Sequence, residues 1–122
     1  MLSQQELSDR FEIQDLVFHY SHLIDTKDID RLREDIFTAD VHIDYSAFGG
    51  SVGNLEDTLA FLKASLTSGM FPNSQHLNAN VQVQLQGDSA TGRVMCFNPM
   101  EMSLGEGKLH TFFLGLWYVD EY

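Results

Sequence analysis

Basic residues are scarce in this chain: 7 Lys and Arg stand against 18 Asp and Glu, a formal net charge of -11. A phosphate backbone or an anionic bilayer would be repelled, so neither nucleic acid nor membrane is an expected partner. Cysteine is nearly absent as well. Cys96 alone cannot close an internal disulfide, and with no CxxC or Cys/His grouping around it the residue reads as a small buried hydrophobe. No apolar run approaches the ~20 residues that span a bilayer. The opening MLSQQELSDRFEIQ lacks both the basic start and the apolar stretch of a secretory signal. A soluble, cytoplasmic protein is the expectation. GxSxG, a Walker loop, GxGxxG and HExxH are all missing, and FGGSVGN lacks the strand-to-helix setting of a dinucleotide fingerprint. No cofactor is therefore expected, and no metal either, because His22 and Asp15 beside His19 fall on polar positions of a surface helix.

What the chain does have is apolar patterning, at 43% hydrophobic residues enough to bury one domain over residues 1–122. Ile13, Leu16, Val17, Tyr20, Leu23 and Ile24 share one face of a helix spanning about residues 4 to 25. A short second helix carries Ile29, Leu32 and Ile36, with Thr26 or Asp28 as its cap. In DVHIDYSAF the period changes to two, predicting a strand with Val41, Ile43 and Tyr45 on its buried face. Asn54 caps a third helix, LEDTLAFLKASL, and the remainder reads as three long antiparallel strands with turns at Gly87-Asp88 and within SLGEGK. Helices first and a meander last predict an α+β domain, helices against one face of a curved sheet. The last strand runs to Tyr122 without a polar tail, so either a partner subunit covers its edge or a further C-terminal strand follows.

Four side chains in this frame carry chemistry or a core role. His76 opens the first long strand, where strict alternation puts it on one face with Asn78, Asn80, Gln82 and Gln84, opposite Leu77, Ala79, Val81, Val83 and Leu85. It is either a hydrogen-bonded strand-start histidine or, facing a pocket, a general base or acid. Asp25 lies at the C-terminal end of helix one, where the macrodipole disfavours a carboxylate by roughly 0.3–1 kcal/mol. It either belongs to the turn or is held there by a local partner. Tyr45 and Tyr20 sit on apolar faces, where a buried phenol needs a polar partner.

Two segments resemble the SnoaL-like and scytalone dehydratase-like branch of the nuclear transport factor two superfamily. IDTKDIDRLREDIFTADVHIDYSAFGG is similar to the family segment in which an Asp ends helix one, a short helix follows and an IDY strand comes next. NSQHLNANVQVQL is similar to its second landmark, a histidine opening the first strand of the meander. The likeness runs from about Leu7 to Tyr122. It implies a cone, three N-terminal helices packed in a strongly curved, mainly antiparallel sheet around a deep apolar pocket, and a homodimer formed through the sheet. It also implies catalytic roles for Asp25, His76 and Tyr45, with Tyr20, Phe48, Met70, Asn98, Met100, Phe112 and Leu114 lining the pocket.

The chain departs from the dehydratase pattern where it matters. Ile24 stands at the position of the tyrosine before the Asp, Met100 at that of the second histidine, and apolar residues around Phe112 and Leu114 replace the serine and asparagine of the last strand. Scytalone dehydratase itself is disfavoured, and an Asp25–His76 pair supported by Tyr45 is what the resemblance leaves. The implied function is a cofactor-independent lyase, cyclase or isomerase that abstracts a proton next to a carbonyl of a small apolar or aromatic molecule. The same fold also serves as an inert ligand-binding domain, and as the small subunit of ring-hydroxylating dioxygenases.

Overall fold

A computed structural model describes residues 1–122. Helix α1, Gln4–Thr26, starts at a capping box: the Glu6 amide donates to Ser3 Oγ at 3.1 Å, and the Ser3 amide donates to Glu6 Oε2 at 2.7 Å. It ends where Lys27 turns left-handed at φ 62°, its amide bonded back to Ile24 and that of Asp28 to Leu23. A lysine in a conformation that favours glycine is held there by its own side chain, whose Nζ donates to the Phe71 carbonyl at 2.9 Å. Asp25 is thus fixed in the last turn of α1, two residues before the chain reverses at Lys27.

Helix α2, Arg31–Asp35, is a turn and a half and begins later than either expected cap; Asp30 precedes it without a side-chain bond. Helix α3, Leu55–Leu66, starts as expected at Asn54, whose Oδ1 accepts from the Asp57 amide at 3.0 Å. Leu23, Ile24, Ile29, Leu32, Leu59 and Leu62 are buried together where the three helices meet.

Between α2 and α3 the expected strand is mostly absent. Only β1, Ile43–Asp44, pairs with β2, Val52–Gly53. Asp44 Oδ1 takes the Ser46 amide at 2.8 Å and bends the backbone into a 3-10 turn over Ser46–Phe48. Side-chain capping by an aspartate therefore overrides the alternation of VHIDYSAF. Gly50 closes this turn against Tyr45, where a Cβ would lie 2.7 Å from that of Tyr45.

The rest is one antiparallel sheet: β3, Asn73–Ser74; β4, Leu77–Gln86; β5, Ser89–Gly105; and β6, Lys108–Glu121. The long β5 is central, with β3 and β4 end to end along one edge and β6 along the other. Two-residue turns join the strands at Gly87-Asp88 and Glu106-Gly107, the second with both residues at positive φ, the hand that suits a twisted hairpin. The face toward the helices carries Val94, Cys96, Asn98 and Met100 from β5, with Phe112, Leu114, Tyr118 and Asp120 from β6.

Strict alternation fails in β4. Ala79 pairs with Met95 and Gln82 with Arg93, so Asn80 and Val81 together oppose Val94 in a bulge, with Asn80 at φ 48°. The bulge swaps the faces. His76 and Asn78 point inward before it, Val81, Val83 and Leu85 after it, while Leu77, Asn80, Gln82 and Gln84 are exposed. One inserted residue lets a polar start and an apolar end share the interior.

Candidate active site

Helix and strand meet here in step. Four helical residues rise about 6 Å and two strand residues about 6.7 Å. Val17, Ser21 and Asp25, one per turn along α1, accordingly face Ser74, His76 and Asn78, alternate residues of β3 and β4. Asn78 Nδ2 donates to Ser21 Oγ at 2.6 Å and to the Val17 carbonyl at 3.3 Å. Asp25 receives three bonds: Ser74 Oγ to Oδ1 at 2.9 Å, the His76 amide to Oδ2 at 2.9 Å, and His76 Nδ1 to Oδ1 at 2.6 Å. These are the local partners that a carboxylate at a helix C-terminus requires.

Burial alone would raise the Asp25 carboxyl, but the ring and amide of His76 and the Ser74 hydroxyl outweigh it and hold it below the ordinary carboxylate value. An ionised carboxylate can only accept, so Nδ1 carries the proton toward Asp25, and in the neutral ring the lone pair is on Nε2. The His76 side chain is 9% exposed and that of Asp25 25%. The arrangement is an imidazole fixed in orientation and tautomer, with its basic nitrogen turned away from the carboxylate.

Tyr45 is not in hydrogen-bond contact with that pair. Its hydroxyl meets the Tyr20 hydroxyl at 2.8 Å, and burial pushes its phenol up to about 12. Tyr20 packs edge-on against Tyr118 with ring centroids 5.6 Å apart. Phe48 and Met70, expected in the pocket, are 58% and 52% exposed, Phe48 on the 3-10 turn and Met70 in the loop after α3. Asn98 and Met100 are buried on the interior face, and Phe112 and Leu114 face inward across from them on β6. Phe112 also packs edge-on to Phe71. Two surface concavities lie elsewhere: one of 410 Å³ around Arg33 and Asn54, and one of 240 Å³ on the outer sheet face by Met95 and Trp117. Neither is lined by Asp25, His76 or any of the residues expected to line the pocket.

The sequence reading missed Asp120. It faces inward on β6 with a single bond, from the Tyr122 hydroxyl at 3.2 Å, and burial raises its carboxyl above the ordinary value. Tyr118, beside the Cys96 thiol, is likewise raised by burial. Extending the alternation Phe112, Leu114, Leu116, Tyr118 by one step would have placed Asp120 inside. No group of three His, Cys, Asp or Glu side chains is placed to hold a metal ion, and no helix is long and apolar enough to cross a membrane.

Over residues 5–122 the chain matches the SnoaL-like domain. It is 43% identical, over all 122 residues and 80% of the relative's length, to the uncharacterised protein Rv2910c of Mycobacterium tuberculosis. Among solved structures, a scytalone dehydratase candidate from Novosphingobium aromaticivorans superposes with a TM-score of 0.82 at 18% identity, covering 98% of this chain and 76% of that one. A type 2 hexachlorocyclohexane dehydrochlorinase, LinA, gives a TM-score of 0.79 at 20% identity, covering 95% of this chain and 75% of that one. At such identities the two structures speak for the fold, a helix-filled cone of curved antiparallel sheet. With the sequence match spanning nearly its whole length, the chain belongs to the SnoaL-like family of the nuclear transport factor two superfamily.

Proposed function

We propose that the protein is an enzyme that needs no cofactor and removes a proton next to a carbonyl, with His76 as the base and Asp25 holding it. The observation that carries this reading is the 2.6 Å contact between Asp25 Oδ1 and His76 Nδ1, which directs the lone pair of Nε2 away from its partner. As Nε2 takes up the proton, the carboxylate stabilises the imidazolium, and returning that proton to carbon or to a leaving group completes an isomerisation or an elimination. Two proteins of the same fold are named for eliminations, a dehydratase and a dehydrochlorinase. Met100, Phe112 and Leu114 on the interior face suit a substrate with an apolar or aromatic body.

The chemistry can be tested without the natural substrate. Tetralone, an aryl ketone, should exchange its α-hydrogens for deuterium in heavy water when the protein is added, with His76→Gln slower by about 100-fold or more. Equal exchange by both proteins overturns the reading.

The outer sheet face suits a second copy of this chain. Phe97, Phe113, Trp117 and Val119 are 44–79% exposed there, and Phe97 stacks on Phe113 at 5.6 Å. Arg93 lies 3.7 Å over Trp117 in the middle of this face, with Glu101 and Glu121 toward its ends. Two such faces can meet across this apolar middle, despite a net charge of -11. Sedimentation should give a dimer that Trp117→Glu converts to monomer; a monomeric wild type overturns this.

A further inference from the structure

The His76 side chain is 9% exposed, so a substrate reaches its ring only when a segment beside it moves. Helix α1 is bedded in the core through Leu23 and Ile24, and β3 and β4 are laddered to β5. The remaining neighbour is the strap Thr67–Pro72, which leads from α3 into β3 with neither helix nor ladder to hold it. It is tied down at three points. The Ser103 amide donates to the Met70 carbonyl at 2.8 Å, Lys27 Nζ donates to the Phe71 carbonyl at 2.9 Å, and the Phe71 ring meets that of Phe112 edge-on at 6.2 Å. Met100 joins Phe112 to Ser74, whose hydroxyl bonds Asp25, so the strap rests on the rung beside the pair. Within it Gly69 stands at φ 82° with open space where a Cβ would be, and Met70 is 52% exposed. The strap has room to swing outward.

Lys27 is the unusual fastening. Its left-handed φ of 62° at a helix end is where glycine is cheapest, and what lysine adds there is an ammonium that reaches the strap. This is the basic residue nearest Asp25 in sequence, yet the three bonds of that carboxylate come from Ser74 and His76 while Lys27 is spent on Phe71. We propose that Thr67–Pro72 is a gate on the path to His76, and that Lys27 is its latch. Opening breaks the bonds from Lys27 and Ser103 and lifts Phe71 off Phe112, with the chain turning at Gly69. The proposal rests on reading the Asp25–His76 face as the ligand site, but not on any step of catalysis. A latch that steadies the shut form slows entry and exit alike, and so leaves affinity nearly unchanged.

The test compares Lys27→Gly, which suits the left-handed turn but has no ammonium, with Lys27→Arg, which keeps a donor of similar reach. Backbone hydrogen exchange should be about tenfold faster at the Ser103 amide in Lys27→Gly and near wild type in Lys27→Arg, while the His76 amide, held by Asp25, keeps its rate in both. Tetralone, followed by NMR line shapes, should enter and leave Lys27→Gly faster by a similar factor, with Kd changed by less than about twofold. If Lys27→Gly does not fold, Lys27→Met, which keeps the stem without the donor, takes its place. Faster entry and exit at unchanged Kd, restored by arginine, supports the gate. Unchanged exchange at Ser103 overturns the latch, and faster exchange there with tetralone rates unmoved overturns the gate, leaving Lys27 as a loop fastening. A change confined to the dissociation rate overturns it by placing Lys27 on the ligand, and a wild type that takes up no tetralone leaves nothing to be gated and overturns it as well. Uptake is what is measured, so a base other than His76 leaves the gate standing, whereas tetralone rates indifferent to Lys27, in a protein whose deuterium exchange needs His76, leave the base standing without the gate.

Discussion

Asp25 and Asp120 are both drawn into the interior of the cone, and they answer burial in opposite ways. Asp25 is met by three donors from two alternate edge residues, Ser74 and His76, and its carboxyl is held down. Asp120, farther along the sheet beside Gly92, meets one phenol at 3.2 Å, and its carboxyl is pushed up. Burial acts the same way on both. The difference is the number of donors waiting: three hold the first carboxyl below its ordinary value, and one leaves burial to raise the second.

The largest effect expected from breaking this contrast is at Asp25. Asp25→Ala strands the Ser74 hydroxyl, the His76 amide and the His76 ring together, at a cost of about 2–4 kcal/mol in urea unfolding. Asp25→Asn keeps the shape and costs less, because its oxygen can still accept. Deuterium exchange should fall in both, since His76 loses the carboxylate that orders its tautomer. Exchange unchanged in Asp25→Asn would separate the carboxylate from the chemistry.

At Asp120 the sign reverses. Removing a buried carboxyl that has one long bond should be neutral or stabilising by about 1 kcal/mol near pH 7, so Asp120→Asn is expected to unfold at higher urea than wild type. A clear loss of stability would mean that the carboxylate has a partner that the geometry does not reveal.

The pH dependence sharpens the same pair. The Asp25 carboxyl is lowered on folding, so its contribution is present above the unfolded carboxylate value of ~3.9 and is lost as pH falls through the lower native value. The Asp120 carboxyl is raised on folding, so the native state is fully favoured below ~3.9 and loses stability as pH rises through the higher native value. Urea midpoints measured across pH should show Asp25→Asn flattening the acid limb and Asp120→Asn removing a decline above it. Identical profiles for the two variants would erase the distinction.

How each aspartate could be read from sequence follows from the period that carries it. The helices were legible because Val17, Leu23, Ile24 and Leu32 repeat at helical spacing and Asn54 is a strong cap. His76 facing inward was legible from the resemblance, but its reason was not, because strict alternation put Gln82 and Gln84 on the same face. Only the bulge at Asn80 and Val81 reconciles a polar His76 and Asn78 with an apolar Val83, and such a bulge depends on pairing with β5 rather than on local residues. The short β1 failed for a different reason: Asp44 takes the Ser46 amide and turns the chain immediately after Tyr45, whose amide still donates to the Ser51 carbonyl at 2.8 Å.

Tyr45 supplies the smallest effect, and it decides whether the two ends of the interior communicate. Its hydroxyl bonds Tyr20, which packs on Tyr118, two residues before Asp120, so it belongs by contact to the Asp120 end. Tyr45→Phe removes one hydrogen bond between phenols, worth about 1 kcal/mol in stability, and leaves Asp25 and His76 with every bond they now have. The nitrogen NMR signals of His76 should therefore stay in place and deuterium exchange should change by less than about threefold, the range of a remote substitution that leaves the base intact. A larger loss of exchange, with the His76 signals unmoved, would place the phenol on the substrate and join the two ends into one site.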